Sequence, residues 1–126
     1  MAEREDHVSL MTDTAERMYS KSYLDKNRKL FPLMAKFTKP KSYERFFRNA
    51  YAILDFDAHE ELPEISCPVF IIAGSDDNTV GNEAPHELNN LIPNSQVYIY
   101  EGLGHGAFEE AQDFYDRVYY FCESEA

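Results

Sequence analysis

The stretch that most restricts what this chain can become is VFIIA, residues 69–73, which follows Pro68. Five apolar residues in a row, without polar alternation, are the pattern of a short parallel strand covered on both faces. A loop, GSDDNTVG, comes next. Glu83 to Ile92 then has helical character and is stopped by Pro93 and Asn94. Gln96 to Tyr100 reads as a second strand and EGLGHG as a second loop. Ala111 to Cys122 reads as a closing helix with Ala111, Phe114, Tyr115, Val118 and Phe121 or Cys122 on its apolar side. Strand, helix, strand, helix in this order predicts a βαβα unit with parallel strands and a right-handed crossover.

The first half has a different periodicity. Val8, Met11, Ala15 and Met18 repeat at helical spacing, with Glu5, Asp6, Asp13, Glu16 and Arg17 on the other faces. A second helical stretch, Ser22 to Phe37, contains Pro32, which is expected to kink or interrupt it. A third runs from Ser42, a candidate cap, to about Leu54. Its apolar stripe consists of Tyr43, Phe46, Phe47, Ala50 and Ile53 or Leu54. Charge divides at the same place as periodicity. Residues 1–57 hold 11 Lys/Arg and 9 Asp/Glu, whereas residues 58–126 hold one base, Arg117, against 14 acids. The total of −11 therefore sits in the second half, and a segment boundary is expected near residue 57. So acidic a half repels phosphate backbones and anionic lipid, which excludes a nucleic-acid or membrane-surface role. The N-terminus, MAEREDHVSL, lacks the apolar core of a signal peptide, and a cytoplasmic location is expected.

Chemistry is expected where parallel strands end, because the loops beyond their C-terminal ends form the ligand crevice of open α/β sheets. Asp76 and Asp77 leave the first strand and His105 leaves the second. Adjacent strands lie about 4.8 Å apart, so an aspartate and a histidine on neighbouring tips can hydrogen-bond. Such a pair fixes one imidazole tautomer and stabilises its charged form. Gly102, Gly104 and Gly106 permit a tight loop around His105. Other candidates carry less. Ser75 has no base designed to activate it. Cys67 precedes the first strand, so about 20 Å of extended chain separates it from the loop tips. Cys67 and Cys122 form no metal or redox spacing; they read as small buried hydrophobes, with a disulfide as the less favoured alternative. His59 lacks the spacing of a zinc helix, His86 lies beside Glu83 and Glu87 on an exposed face, and His7 is close to the terminus.

PVFIIAGSDDNTVG resembles the seventh strand and acid loop of α/β-hydrolases, with the acid three residues after the glycine, which maps onto Gly74 and Asp77. Asp76 is the competing acid. IYEGLGHGAFEEAQDFYDRVYYF resembles the eighth strand, histidine loop and last helix, with His105 as general base. FDAHEELPEISCP is similar to the family's entry from its cap into the core, and residues 1–57 resemble the helical cap in pattern only. The order acid then histidine matches the family's Ser…Asp…His order. The resemblance implies an α/β fold in which residues 58–126 are the C-terminal βαβα part of the hydrolase sheet, preceded by a helical cap segment over residues 1–57. Beneath such a cap Tyr43, Phe46 and Phe47 could line an acyl pocket, although a stripe of this kind is more often core.

The family's nucleophile stands in G-x-S-x-G on a strand-to-helix elbow. The five glycines of this chain, at 74, 81, 102, 104 and 106, frame no serine that way. The expectation is a chain that begins at the cap, with Asp77 and His105 as acid and base and the serine supplied elsewhere. The resemblance implies hydrolysis of an ester, lactone, thioester or similar small-molecule bond without a metal or organic cofactor. The expected partners are a complementing N-terminal half or a second copy of the chain. The alternative is a non-catalytic, dimeric binding module derived from the same fold, joined through the strand edge that the missing half would otherwise cover.

Overall fold

In the computed structural model, which describes residues 2–4 and 6–125, two strands carry the second half of the chain. β1 (Val69–Gly74) and β2 (Ser95–Tyr100) run parallel in continuous register, from Val69 opposite Ser95 to Gly74 opposite Tyr100. The helix between them, α5 (Ala84–Leu91), packs on both. Pro85 in its first turn costs no hydrogen bond, because the amide there has no intrahelical partner. The expected cover on both faces of β1 is met only in part. Ile71 and Gly74 are buried, while Val69, Phe70, Ile72 and Ala73 are half-buried. Among the described residues the sheet stops at β1 on one side and β2 on the other, so these side chains lack the neighbours that a wider sheet would bring.

The closing helix begins three residues later than its sequence suggests and runs two residues further. A single turn, α6 (Ala107–Glu110), ends at Ala111, and α7 (Phe114–Ser124) begins three residues later. Asp113 explains the break. Its carboxylate accepts from the Tyr100 hydroxyl at 2.8 Å and from Arg117 Nε at 2.7 Å. Arg117 in turn lies 3.8 Å above the Tyr98 ring. The one base of the second half thus fastens α7 to β2, while Phe121 stacks on Phe70 of β1. Cys67 and Cys122 are both exposed and free, not the buried hydrophobes expected. Cys67 sits in the turn before β1, and Cys122 borders an open apolar groove with Phe70, Ile72 and Phe121 that nothing described here fills.

The N-terminal segment is helical as expected. α1 (His7–Met18) is capped by Asp6, whose side chain accepts from Ser9 N at 3.1 Å. Glu5 lies outside the described residues. α2 (Lys21–Asn27) and α3 (Leu30–Thr38) divide the second stretch at Arg28 and Lys29, not at Pro32. Pro32 falls in the first turn of α3, where its missing N–H and fixed φ are tolerated, so it marks a helix start and not a kink. α1 packs on α3, and the buried Ala15 and Ala35 are small enough for close approach. His7, uninformative in sequence, is buried: its Nε2 lies 3.2 Å from Thr38 Oγ1, tying the start of α1 to the end of α3.

α4 (Glu44–Leu54) departs most from expectation. Ser42 does accept from Glu44 N at 3.1 Å. The stripe is not core, however: Tyr43 is buried, but Phe46 is 44% exposed, Ile53 73% and Leu54 78%. Amphipathic spacing made the helix without providing a surface for its apolar side, and α4 has no extensive contact with another element of the described residues. No helix among the described residues is long and apolar enough to cross a membrane.

Candidate active site

The two loops at the C-terminal ends of β1 and β2 are laced together by their backbones. Ser75 N donates to Tyr100 O at 2.9 Å and Asp76 N to Leu103 O at 2.9 Å. Gly102 N donates to Ser75 Oγ at 2.8 Å, and that hydroxyl also reaches Asp76 Oδ1 at 3.3 Å. Ser75 is therefore engaged in tying loop to loop. The approach is so close that a Cβ at position 74 would collide with the carbonyl oxygens of Leu103 and Gly104. These are backbone atoms that cannot swing aside, which accounts for a glycine at the end of β1.

This lacing brings Asp77 and His105, which are 28 residues apart in sequence, into contact. His105 Nδ1 lies 2.8 Å from Asp77 Oδ2. Asp77 is 6% exposed, and its other oxygen, Oδ1, accepts from Thr79 N at 2.7 Å and Val80 N at 3.1 Å. The division of labour follows from the geometry: two amides hold one oxygen, and the other faces the imidazole. Burial of the Asp77 carboxyl opposes its ionised form. The hydrogen bond from His105 and those from Thr79 and Val80 outweigh it, so the carboxyl lies below the ordinary aspartate value of 3.8. A carboxylate held ionised can only accept. His105 Nδ1 must then carry the proton, which leaves Nε2 of the neutral ring as a lone-pair acceptor. The His105 side chain is 39% exposed.

Of the two acids open in the sequence, the structure brings Asp77 to His105 and leaves Asp76 exposed on the turn. The remaining candidates stay apart. Cys67 stands before the first residue of β1. His59 is exposed, 3.6 Å from an equally exposed Glu87, and His86 is exposed. No group of three or more His, Cys, Asp or Glu side chains among the described residues could hold a metal ion.

Sequence reasoning did not foresee that the N-terminal helices reach this site. Gly106 N donates to Met18 O at 2.7 Å, and Thr79 Oγ1 donates to Arg17 O at 3.3 Å. A Cβ on Gly104 would stand 2.6 Å from Met18 O, so the loop before His105 has no room for a larger residue. The Asx pattern of Asp77 with Thr79 is a local signal that sequence could have supplied. Contacts between residues 62 and 88 positions apart leave no such trace.

The sequence model of the family described as "alpha/beta hydrolase fold" matches residues 3–112. RutD of Caulobacter sp. (strain K31), whose name assigns it provisionally to carbamate hydrolysis, is 34% identical over 76 residues, covering 60% of this chain and 28% of RutD. The polyketide synthase ThaQ of Burkholderia thailandensis is 33% identical over 57 residues, 45% of this chain and 3% of that protein. Among solved structures, an esterase (EaEST) from Exiguobacterium antarcticum superposes with a TM-score of 0.79 at 21% identity, over 95% of this chain and 44% of the esterase. A variant of the meta-cleavage product hydrolase CumD superposes with a TM-score of 0.63 at 18% identity, over 94% of this chain and 46% of that one. The chain thus spans less than half the length of each of these proteins.

Proposed function

Because the chain belongs to the α/β-hydrolase-fold family, we propose that it supplies the acid and base of a serine hydrolase, with Asp77 as acid, His105 as base and the serine carried by a segment outside this sequence. One observation carries the reading: the buried Asp77 carboxylate, already held by two amides, meets His105 Nδ1 at 2.8 Å. With Nδ1 protonated, Nε2 takes the proton of a serine hydroxyl as it attacks a carbonyl, then returns it to the leaving group, and repeats the exchange with water. Asp77 orients the ring and stabilises the imidazolium formed in between. Esters, lactones, thioesters and similar bonds are the substrate class. The similarity to RutD extends it to carbamates, whose carbonyl is open to the same attack. Residues 1–57 act as the helical cap of residues 58–126, which form the back of the hydrolase core.

The test completes the protein. A front segment bearing G-x-S-x-G, fused in frame or added in trans, should restore labelling by a fluorophosphonate and turnover of a short-chain nitrophenyl ester. His105→Ala should abolish both, with turnover falling by several orders of magnitude. Turnover in the completed protein that is indifferent to His105→Ala would refute the assignment.

A second reading is favoured by the outer edge of β1, unpaired among the described residues, and the half-buried Phe70 and Ile72 beside it. Such an edge pairs readily with another chain. In this reading the chain is a non-catalytic module that self-associates, a two-fold dimer through β1 being the simplest form. Light scattering at tens of micromolar distinguishes it, since a strictly monomeric chain rules it out.

A further inference from the structure

The last turn of α1 contacts both loops of the acid–histidine pair. A helix leaves its final carbonyls without intrahelical partners, and these must be satisfied from outside. Here Arg17 O accepts from Thr79 of the acid loop, and Met18 O accepts from Gly106, the residue after His105. The residue before His105 is tied to the same place by a side chain. Glu110 closes α6, and its Oε1 accepts from Ser20 N at 3.0 Å and from Gly104 N at 3.4 Å. Its Oε2 accepts from the hydroxyl of Ser20, which is itself buried. Tyr19 adds a further bond, its hydroxyl donating to Glu109 at 2.6 Å. Burial, reinforced by that carboxylate, pushes the Tyr19 phenol above its ordinary value, so it remains a donor.

His105 is thus bracketed. Both neighbouring amides, Gly104 and Gly106, are held against residues 18–20, one through Glu110 and the other directly. Asp77 is fixed independently by Thr79 and Val80. The 2.8 Å contact between Asp77 and His105 then depends on where the histidine loop is pinned; Ser75 holds its start at Gly102, and Glu110 is the side chain that holds Gly104, the residue immediately before His105. We propose that Glu110 is a positioning residue for His105, holding the histidine loop against the end of α1 so that Nδ1 stays on the Asp77 carboxylate. The proposal rests on the acid–histidine reading given above.

The test is proton NMR of the histidine-labelled full chain, following the Nδ1–H resonance of His105. In the unaltered chain this proton should be shifted downfield and protected from exchange by Asp77. Glu110→Ala should broaden it and speed its exchange by about five- to tenfold, roughly the loss of one net hydrogen bond. Glu110→Gln should restore the signal, because an amide oxygen still accepts from Ser20 N and Gly104 N while its NH2 donates to Ser20 Oγ. A signal in folded Glu110→Ala that matches the unaltered chain in position and exchange overturns the proposal. If circular dichroism shows Glu110→Ala to be unfolded, Glu110→Asp, whose shorter side chain draws the carboxylate away from Gly104 N, takes its place, and an unchanged signal there overturns the proposal equally. Asp77→Asn separates the two levels. If it leaves the resonance untouched, the acid–histidine reading itself fails. If it removes the resonance while Glu110→Ala does not, only the role of Glu110 fails.

Discussion

Asp77 is the residue on which most of the local structure converges, because one buried side chain satisfies two backbone amides and an imidazole. Its folded-state carboxyl lies below the ordinary value of 3.8, so the stabilisation it gives is fully present above that value and is lost as pH falls through the lower, folded one. Asp77→Asn keeps the shape and an acceptor for the amides but removes the charge. The variant should be about 1.5–3 kcal/mol less stable at pH 6, the range for a hydrogen bond to a charged group. Its deficit should shrink as pH drops below 3.8, which urea unfolding of both proteins at pH 6 and pH 3 measures. A deficit that is constant with pH would mean that the carboxylate charge contributes nothing. The identity of this acid was only half legible in sequence. Asp76 and Asp77 both follow the strand, so position at the strand end left either open, and it was the resemblance to the family's acid loop that favoured Asp77 over Asp76. The choice is made by the Asx turn, which buries one aspartate against Thr79 and Val80 and leaves its neighbour in water.

At the scale of elements, the sequence was most legible where local signals agree. The apolar run after Pro68 became β1, Gln96–Tyr100 became most of β2, and the proline at the start of α5 marks its first turn. It was least legible where a pattern depends on what lies opposite. The spacing of Tyr43, Phe46, Ala50 and Ile53 made a helix, but whether a stripe is core depends on a facing surface that periodicity cannot reveal. Pro32 and the Ala111–Asp113 break show the same limit, since one proline suits either a kink or a first turn, and the second break was set by the bonds of Asp113. The exposure of α4 has a direct consequence. Ile53→Lys and Leu54→Lys should change stability by no more than about 0.5 kcal/mol. Ile71→Ala, in the middle of β1 and 9% exposed, should cost about 2–4 kcal/mol. Chemical denaturation of the three variants checks this, and a large loss in the lysine variants would place the stripe in a core after all.

For the molecule as a whole, charge and apolar surface work against each other. The half that contains the β1 edge carries 14 acids and one base, so two copies meeting there repel. The self-association proposed through that edge should therefore strengthen with ionic strength, as screening shortens the reach of the repulsion to about 8 Å at 0.15 M. Sedimentation at 20 mM and 500 mM salt should show mass rising with salt, and mass falling with salt would point to an interface held by opposite charges. The fold class was legible because residues 58–126 show a strand, helix, strand, helix order and because their two loops resemble those of the family. The tie between the N-terminal helices and the site was not, because it joins residues 90 positions apart.

That separation also bears on the order of events when the chain folds. The α1–α3 contact links stretches close in sequence, and β1 and β2 need only α5 between them, so each can form early and cheaply. The bonds from Ser20 to Glu110 and from Tyr19 to Glu109 close the longest loops among the described residues, and loop closure of that length comes late. The His105 loop is therefore among the last parts to be seated as the chain is made and among the first to come loose under mild denaturant, while the helices and the strand pair around it still hold.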